Sequence, residues 1–332
     1  MDSNKTLTLS PSPHVKHKNN TQAVMRDVLI ALTPAFIWSI VIYGWMAAVL
    51  TVLSVALCVF YEFAYQKLTK KPITVSDCSA AITGMLIAFN LPVTTAPWVL
   101  IFGCFFAIVI VKQLFGGIGK NIVNPAIAAR IFMFVSWPGQ LSHFPKGYYN
   151  PFVSADAVSS ATPLTALKGG AVPETSVLES FFGQIGGSLG EISALLLLAG
   201  GAYLIIRRVI TWHIPVAFIA TVAVFAFFFP QAGVSGLTSM GYHVFSGGLI
   251  LGAIFMATDY TTSPVTPVGR LIFGVGCGLL TVMIRYLGAY PEGASFAIMI
   301  MNLLVWYIDR ITMPRVFGQR KEKKAKEGGE AK

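Results

Sequence analysis

Long apolar runs, separated by short polar or basic clusters, recur along most of the chain. From Val28 to Tyr61 no charged residue occurs. That is too long for one membrane helix at about 20 residues per crossing. Gly44 is the natural break, so the pattern predicts two spans near 28–43 and 45–65. Lys67, Lys70 and Lys71 follow. Three more apolar runs lie near 79–91, 97–112 and 122–136, the last ending at Trp137-Pro138. Five further runs lie near 190–206, 212–229, 242–257, 269–287 and 293–309. The intervening stretch 137–189, rich in Gly, Pro, Ser and Thr, is too polar to cross a bilayer.

Composition narrows the class. Of 332 residues, 55% are hydrophobic and only 11% charged, with a mean hydropathy of +0.69. Soluble domains carry about 25% charged residues, so a soluble enzyme, a secreted disulfide scaffold and a disordered chain are excluded. The expected fold class is an all-α polytopic membrane protein with about ten transmembrane helices. Its parts are a 1–23 tail, a five-helix half at 24–136, the 137–189 loop, a second five-helix half at 190–309 and a basic tail at 310–332. The polar first 23 residues show no signal-peptide pattern.

The net charge of +10 reads as topogenic rather than as a nucleic-acid footprint, because the basic residues sit at the edges of apolar runs. With ten spans both termini share one side. If that side is the cytoplasm, 20 of the 24 basic residues lie there. They come from the N-terminal tail and Arg26, from Lys67–Lys71, from Lys112 and Lys120, from Arg207, Arg208 and Arg270, and from Arg310 onward. Lys146, Lys168 and Arg285 fall outside, and Arg130 lies within a span. The positive-inside rule then puts both termini in the cytoplasm and loop 137–189 on the extracytoplasmic face.

Two spans are irregular. The third begins after Asp77 and ends at Pro92; the eighth, "FSGGLILGAIFMATDYTTSP", is Gly-rich and ends at Asp259 and Pro264. Each is third of five in its half, which predicts two inverted five-helix repeats with a functional centre at their junction. Of the few ionisable residues in or beside spans, Asp77 reads as a helix-start partner, while Asp259 and Arg130 stand in stretches with little other polarity. The segment "GGIGKNIVNPA" (Gly116–Ala126) reads as a tight turn whose Asn121 and Asn124 offer amides near a helix start. On this plan Asp77, Asn121, Asn124 and Asp259 line the junctions of the repeats. The four cysteines form no CxxC pair and the five histidines no HxxxH or ExxH pair, so no metal is assigned. In the outer loop, "VSSATPLTALKGG" (Val158–Gly170) predicts a short helix capped by Thr162, with Pro163 at its first position.

The blocks "SPSPHVKHKNNTQAVMRDVLIALTPA", "KQLFGGIGKNIVNPA", "ATPLTALK", "TWHIPVAF", "FMATDYTTSPVTPVGRLIFG", "IRYLGAYPEGASFAIMIMN" and "IDRITMPRVFG" cover nearly the whole chain. Together they resemble the D subunits of the Rnf (Rsx) ion-translocating electron-transport complexes and, more distantly, the B subunits of sodium-pumping NADH:quinone reductases. The resemblance implies a urea-channel-like fold and FMN attached through its phosphate to a threonine of an S-x-A-T motif. Here Ser159, Ser160, Ala161 and Thr162 occupy that motif, so Thr162 is the expected attachment point. Ser160 stands where the motif often has Gly, and Thr165 and Thr175 are the comparison sites.

The resemblance further implies an extracytoplasmic flavin transferase that releases AMP and a second, non-covalent flavin (riboflavin). The expected partners are the A, B, C, E and G subunits of such a complex and the lipid bilayer. No catalytic residue and no nucleic acid are expected. The implied activity is electron relay between ferredoxin and NAD in a prokaryotic cell membrane, coupled to Na⁺ or H⁺ translocation and dependent on the assembled complex, with Asp77, Asn121, Asn124 and Asp259 as the ion-path candidates. A channel or transporter for a small neutral solute, or a purely structural anchor, would share the architecture.

Overall fold

A computed structural model describes residues 20–145, 162–191 and 193–314. The described residues form helices joined by short connectors, and the chain is a multi-pass membrane protein. Helix α1 (Thr21–Tyr43) is capped by Asn20, whose side chain accepts from Ala23 N, and ends at Gly44 with φ 79°. Helix α2 (Trp45–Leu68) starts directly after it. Only a residue without Cβ takes that backbone freely, so the break falls where the sequence puts it. α1, α2, α13 (Pro267–Leu287) and α14 (Ala294–Thr312) are each long and apolar enough to cross a membrane.

The remaining apolar helices are shorter. A 3₁₀ turn, Val75–Asp77, leads through Cys78 at φ 65° into α3 (Ser79–Phe89). α4 (Pro97–Phe105) continues as a π-helix over Phe106–Gln113. α5 (Pro125–Ser136) is capped by Asn124, whose Oδ1 accepts from Ala126 N and Ile127 N, as expected of that turn. α6 (Pro138–Leu141), α7 (Pro163–Lys168) and α8 (Val177–Phe182) are short. α9 (Ala194–Ile206) and α10 (His213–Phe228) follow.

The expected eighth span differs from its sequence reading. Instead of one helix from 242 there are two: α11 (Gly236–Phe245), capped by Ser235, and α12 (Leu249–Leu251), which continues as a π-helix over Gly252–Met256. They are bent by 59° at Gly247 and Gly248, whose φ values are 71° and 62°. Each half of the chain thus holds a short helix entered through a left-handed residue, Cys78 before α3 and Gly248 before α12.

Small residues let these helices approach. A Cβ on Gly84 of α3 would stand 2.7 Å from the Val55 backbone of α2, and Ser54 Oγ donates to Gly84 O at 2.7 Å. On α13, Gly274 and Gly278 face the α10 backbone at Ile214 and Phe218, the small-xxx-small spacing of close membrane helices. Cys58, Cys104 and Cys277 are buried as expected, whereas Cys78 is only half-buried.

Candidate functional site

The connector before α9 brings distant polar groups together. Tyr43 Oη donates to Gly187 O at 2.9 Å and accepts from Gly187 N. Leu189 N and Gly190 N donate to Leu91 O and Phe89 O at the end of α3. A Cβ on Gly190 would collide with Phe89 at 2.3 Å, so glycine is required for this pairing. Ser188 and Glu191 are thereby carried to Asn90, which follows α3.

There they meet Arg130 of α5. Its Nη1 donates to Asn90 Oδ1 at 2.8 Å and to Ser295 Oγ of α14 at 2.9 Å. Its Nη2 bonds the Glu292 carboxylate, and Nη1 lies 3.4 Å from Glu191 Oε1. Glu191 Oε1 and Ser188 Oγ are nonetheless enclosed without a hydrogen-bond partner. Burial pushes the Glu191 carboxyl up to about 8, with Glu292 adding to the shift and Arg130 opposing it. Sequence reading marks Arg130 but passes over Glu191, at the very start of the predicted 190–206 run, and Glu292, in the turn before the last span.

A cavity of about 490 Å³ opens on this cluster, and Thr162 and Thr165 line it together with Asn90, Arg130, Ser188 and Glu292. Its apolar wall includes Phe134, Tyr290 and Phe296. The Tyr290 and Phe296 rings are stacked at 5.6 Å, and Phe134 stands edge-on to both. Thr162 is the N-cap of α7, as its sequence predicts. Its Oγ1 accepts from Thr165 N at 3.3 Å and pairs with Thr165 Oγ1 at 2.8 Å. Leu164 and Leu167 are buried, and Lys168 Nζ donates to Gly288 O at 2.5 Å and Tyr290 O at 2.9 Å. α7 is thus fastened to the α13–α14 turn with Thr162 on the cavity. Ser159, Ser160 and Ala161 lie outside the described residues.

A second cavity, about 450 Å³, gathers three of the four ion-path candidates: Asn121, Asn124 and Asp259 all line it, with Ser79 and Lys112. Asp77 reaches it indirectly, since its Oδ1 accepts from Ser79 N and Ser79 Oγ. Asp77 Oδ2 and Asn121 Oδ1 are enclosed without partners. Burial raises the Asp259 carboxyl, while Thr261 and Thr262 oppose that shift by hydrogen bonding. Between the two cavities Asn90 Nδ2 reaches Met256 Sδ at 3.7 Å and Asn124 Nδ2 donates to Met256 O at 3.2 Å.

Lys112 departs from its expected place. It does not face the aqueous edge: its Nζ donates to Glu62 Oε2 at 2.9 Å and to Ser79 Oγ at 2.6 Å, with both charged side chains buried. The π-helical winding explains this, because it turns Lys112 and Gln113 together toward the interior, where Gln113 Nε2 also donates to Glu62 at 2.7 Å. Such π segments recur at functional sites.

Aromatic walls, a polar end and a volume within the range of small-molecule sites define a helical membrane protein with a cavity sized for an organic cofactor. Over residues 8–318 the chain matches the NQR2, RnfD, RnfE family, and it belongs to that family. It is 46% identical over 321 residues to the D subunit of the Na⁺-translocating ferredoxin:NAD⁺ oxidoreductase complex of Acetobacterium woodii, covering 96% of this chain and 97% of that one. The D subunit of the proton-translocating ferredoxin:NAD⁺ oxidoreductase complex of Clostridium ljungdahlii is 39% identical, covering 95% and 97%. The D subunit of the ion-translocating oxidoreductase complex of Stutzerimonas stutzeri is 37% identical, covering 91% and 93%.

Proposed function

We propose that this chain is the flavin-bearing membrane subunit of an ion-translocating ferredoxin:NAD⁺ oxidoreductase complex, with FMN held as a phosphoester on Thr162. The observation that carries the reading is the placement of Thr162 on a cofactor-sized, aromatic-walled cavity that ends in Arg130, Asn90 and Glu292. The residues fit the group. Phe134, Tyr290 and Phe296 offer ring faces for a planar heteroaromatic system. Arg130, Asn90 and the unpartnered Ser188 Oγ offer hydrogen bonds to its polar edge. When bound, the flavin supplies one-electron carriage between cofactors of partner subunits.

The chain's own residues do the rest. Thr162 Oγ1 is the nucleophile for attachment. A flavin transferase would join it to the FMN phosphoryl group of FAD, breaking the pyrophosphate bond with AMP as the leaving group and releasing the hydroxyl proton. Lys168 and Leu164 hold α7, and hence the tether, against the cavity. The basic asymmetry of the sequence supports both termini in the cytoplasm and α7 outside.

The left-handed entries to α3 and α12, and the matching order of helices around them, support ten crossings in two inverted repeats. On that plan the second cavity, with Asn121, Asn124 and Asp259, opens toward the cytoplasm and receives the translocated ion. Asn90, Asn124 and Met256 then separate it from the flavin cavity. The relatives' names specify Na⁺ in one complex and protons in another, so the ion is part of the proposal only as a monovalent cation.

Co-expression with a flavin transferase tests the attachment. The denatured wild-type chain shows a fluorescent band under ultraviolet light, Thr162→Ala loses it, and Thr165→Ala and Thr175→Ala keep it. A wild-type chain without flavin overturns the reading in favour of a channel for a small neutral solute.

A further inference from the structure

The wall of the Thr162 cavity opposite the attachment point carries a buried charge arrangement that holding a tether does not require. Arg130 is fixed at four oxygens, those of Asn90, Ser295, Glu292 and Glu191, yet its side chain keeps 12% of its surface open on the cavity it lines. Arg285 of α13 lies behind the Gly247–Gly248 break. It is buried and donates to the carbonyls of His243, Ser246 and Gly247. Among the described residues it has no carboxylate within ion-pair distance.

The charged and titratable groups facing this corner are therefore Arg130 from α5, Arg285 from α13, Glu292 from the α13–α14 turn, Glu191 from the connector before α9 and His243 from α11. Glu191 holds its proton at neutral pH because burial raises it. The balance is then two guanidinium groups against one carboxylate, enclosed by apolar and aromatic side chains. In such surroundings a fixed charge acts strongly, because little water screens it.

We infer that Arg130 sets the electron affinity of the redox group tethered at Thr162, its buried positive charge favouring the negative charge that reduction brings into the cavity. This rests on the flavin assignment above. Arg130 acts through its field and its hold on the cavity's polar end, and Glu292 tempers it as the nearest opposing charge. A merely structural Arg130–Glu292 pair would stabilise the helix junction without biasing the carrier.

Reductive titration of the covalent flavin in the full chain, purified after co-expression with a transferase, separates these roles. Attachment is checked on the same samples by in-gel fluorescence. The midpoint potential falls in Arg130→Gln, stays near wild type in Arg130→Lys, and rises in the isosteric Glu292→Gln. Opposite signs from the two partners are the signature of a field effect, because loss of packing moves both variants the same way. Should Arg130→Gln fail to fold, the Arg130→Gln/Glu292→Gln double variant, which leaves no Glu292 charge unpaired, is read against Glu292→Gln and lies below it in potential. Covalent flavin present with unchanged potentials, or with shifts of one sign, overturns this inference and leaves the flavin assignment standing. Absence of covalent flavin in the wild type overturns both.

Discussion

Two buried ionic clusters sit at opposite ends of α3, and they differ in how completely they are satisfied. At the Ser79 end, Lys112 donates to Glu62 and Ser79, while Glu62 also accepts from Gln113 and Gln66. Gln66 is tied in turn to Thr74. Not one of these atoms is left without a partner, and the unpartnered atom nearest them is Oδ2 of Asp77, whose Oδ1 accepts from Ser79. At the Asn90 end two acids share one guanidinium, Glu191 Oε1 stands 3.4 Å from Arg130 Nη1 without a hydrogen bond, and Ser188 Oγ is unpartnered on an open cavity. A buried polar network that is closed on itself fixes a fold; one left open beside a cavity is equipped to meet a ligand. The contrast assigns a structural task to the Glu62 side of the first cluster, whose Lys112 and Ser79 also line the second cavity, and a chemical one to the second cluster.

The largest effect expected from this contrast falls on the closed cluster. Lys112→Met leaves the Glu62 carboxylate buried without its cation, at a cost of about 3–5 kcal/mol. The yield of folded, monodisperse protein in detergent should collapse, and adding Glu62→Gln should recover part of it. Retention of the wild-type melting temperature by Lys112→Met would remove the distinction between the clusters.

A smaller effect is expected where α7, the helix proposed to carry the flavin, meets the broken span. A Cβ on Gly247, at φ +71°, would stand 2.2 Å from Leu164 Cδ1 of α7. Gly247→Ala therefore combines backbone strain of about 1–2 kcal/mol with overpacking of about 1–3 kcal/mol. Gly170, at φ +78°, has nothing within 4 Å of its own Cβ position, so Gly170→Ala carries the strain alone. Thermal melts should rank wild type above Gly170→Ala above Gly247→Ala. Equal losses would show that α7 does not press on the break.

What the sequence makes legible here is local. Thr162 as a cap, Pro163 at the first helical position, the Gly44 break and the Asn124 cap all depend on residues within a few positions of one another. The open cluster is illegible for the opposite reason. Arg130 and Glu292 are 162 positions apart, and only the pairing of residues 189–190 with the end of α3 brings Glu191 between them. Lys112 is misread because a charge at the edge of an apolar run looks topogenic, and π winding leaves no recognisable period. The eighth span starts earlier than its apolar pattern because Ser235, whose side chain accepts from Thr238 N, caps α11 ahead of the apolar run.

The smallest effect concerns protonation in the open cluster, and it asks whether Glu191 belongs to the chemistry or only to the scaffold. Burial raises its pKa to about 8, so the carboxyl is neutral below that pH and anionic above it. Each ionisation places a negative charge beside Arg130 and offsets part of the field on the cavity. The midpoint potential of the flavin proposed on Thr162 should therefore fall as pH rises through about 8, more steeply than its own proton uptake requires. In Glu191→Gln the amide stays neutral throughout. That variant should match the wild type at pH 6.5 and lie above it at pH 9.5, with attachment unchanged on the gel. Identical pH profiles for the two proteins would mean that Glu191 does not ionise in this range, and the second cluster would then carry its chemistry on Arg130 and Glu292 alone.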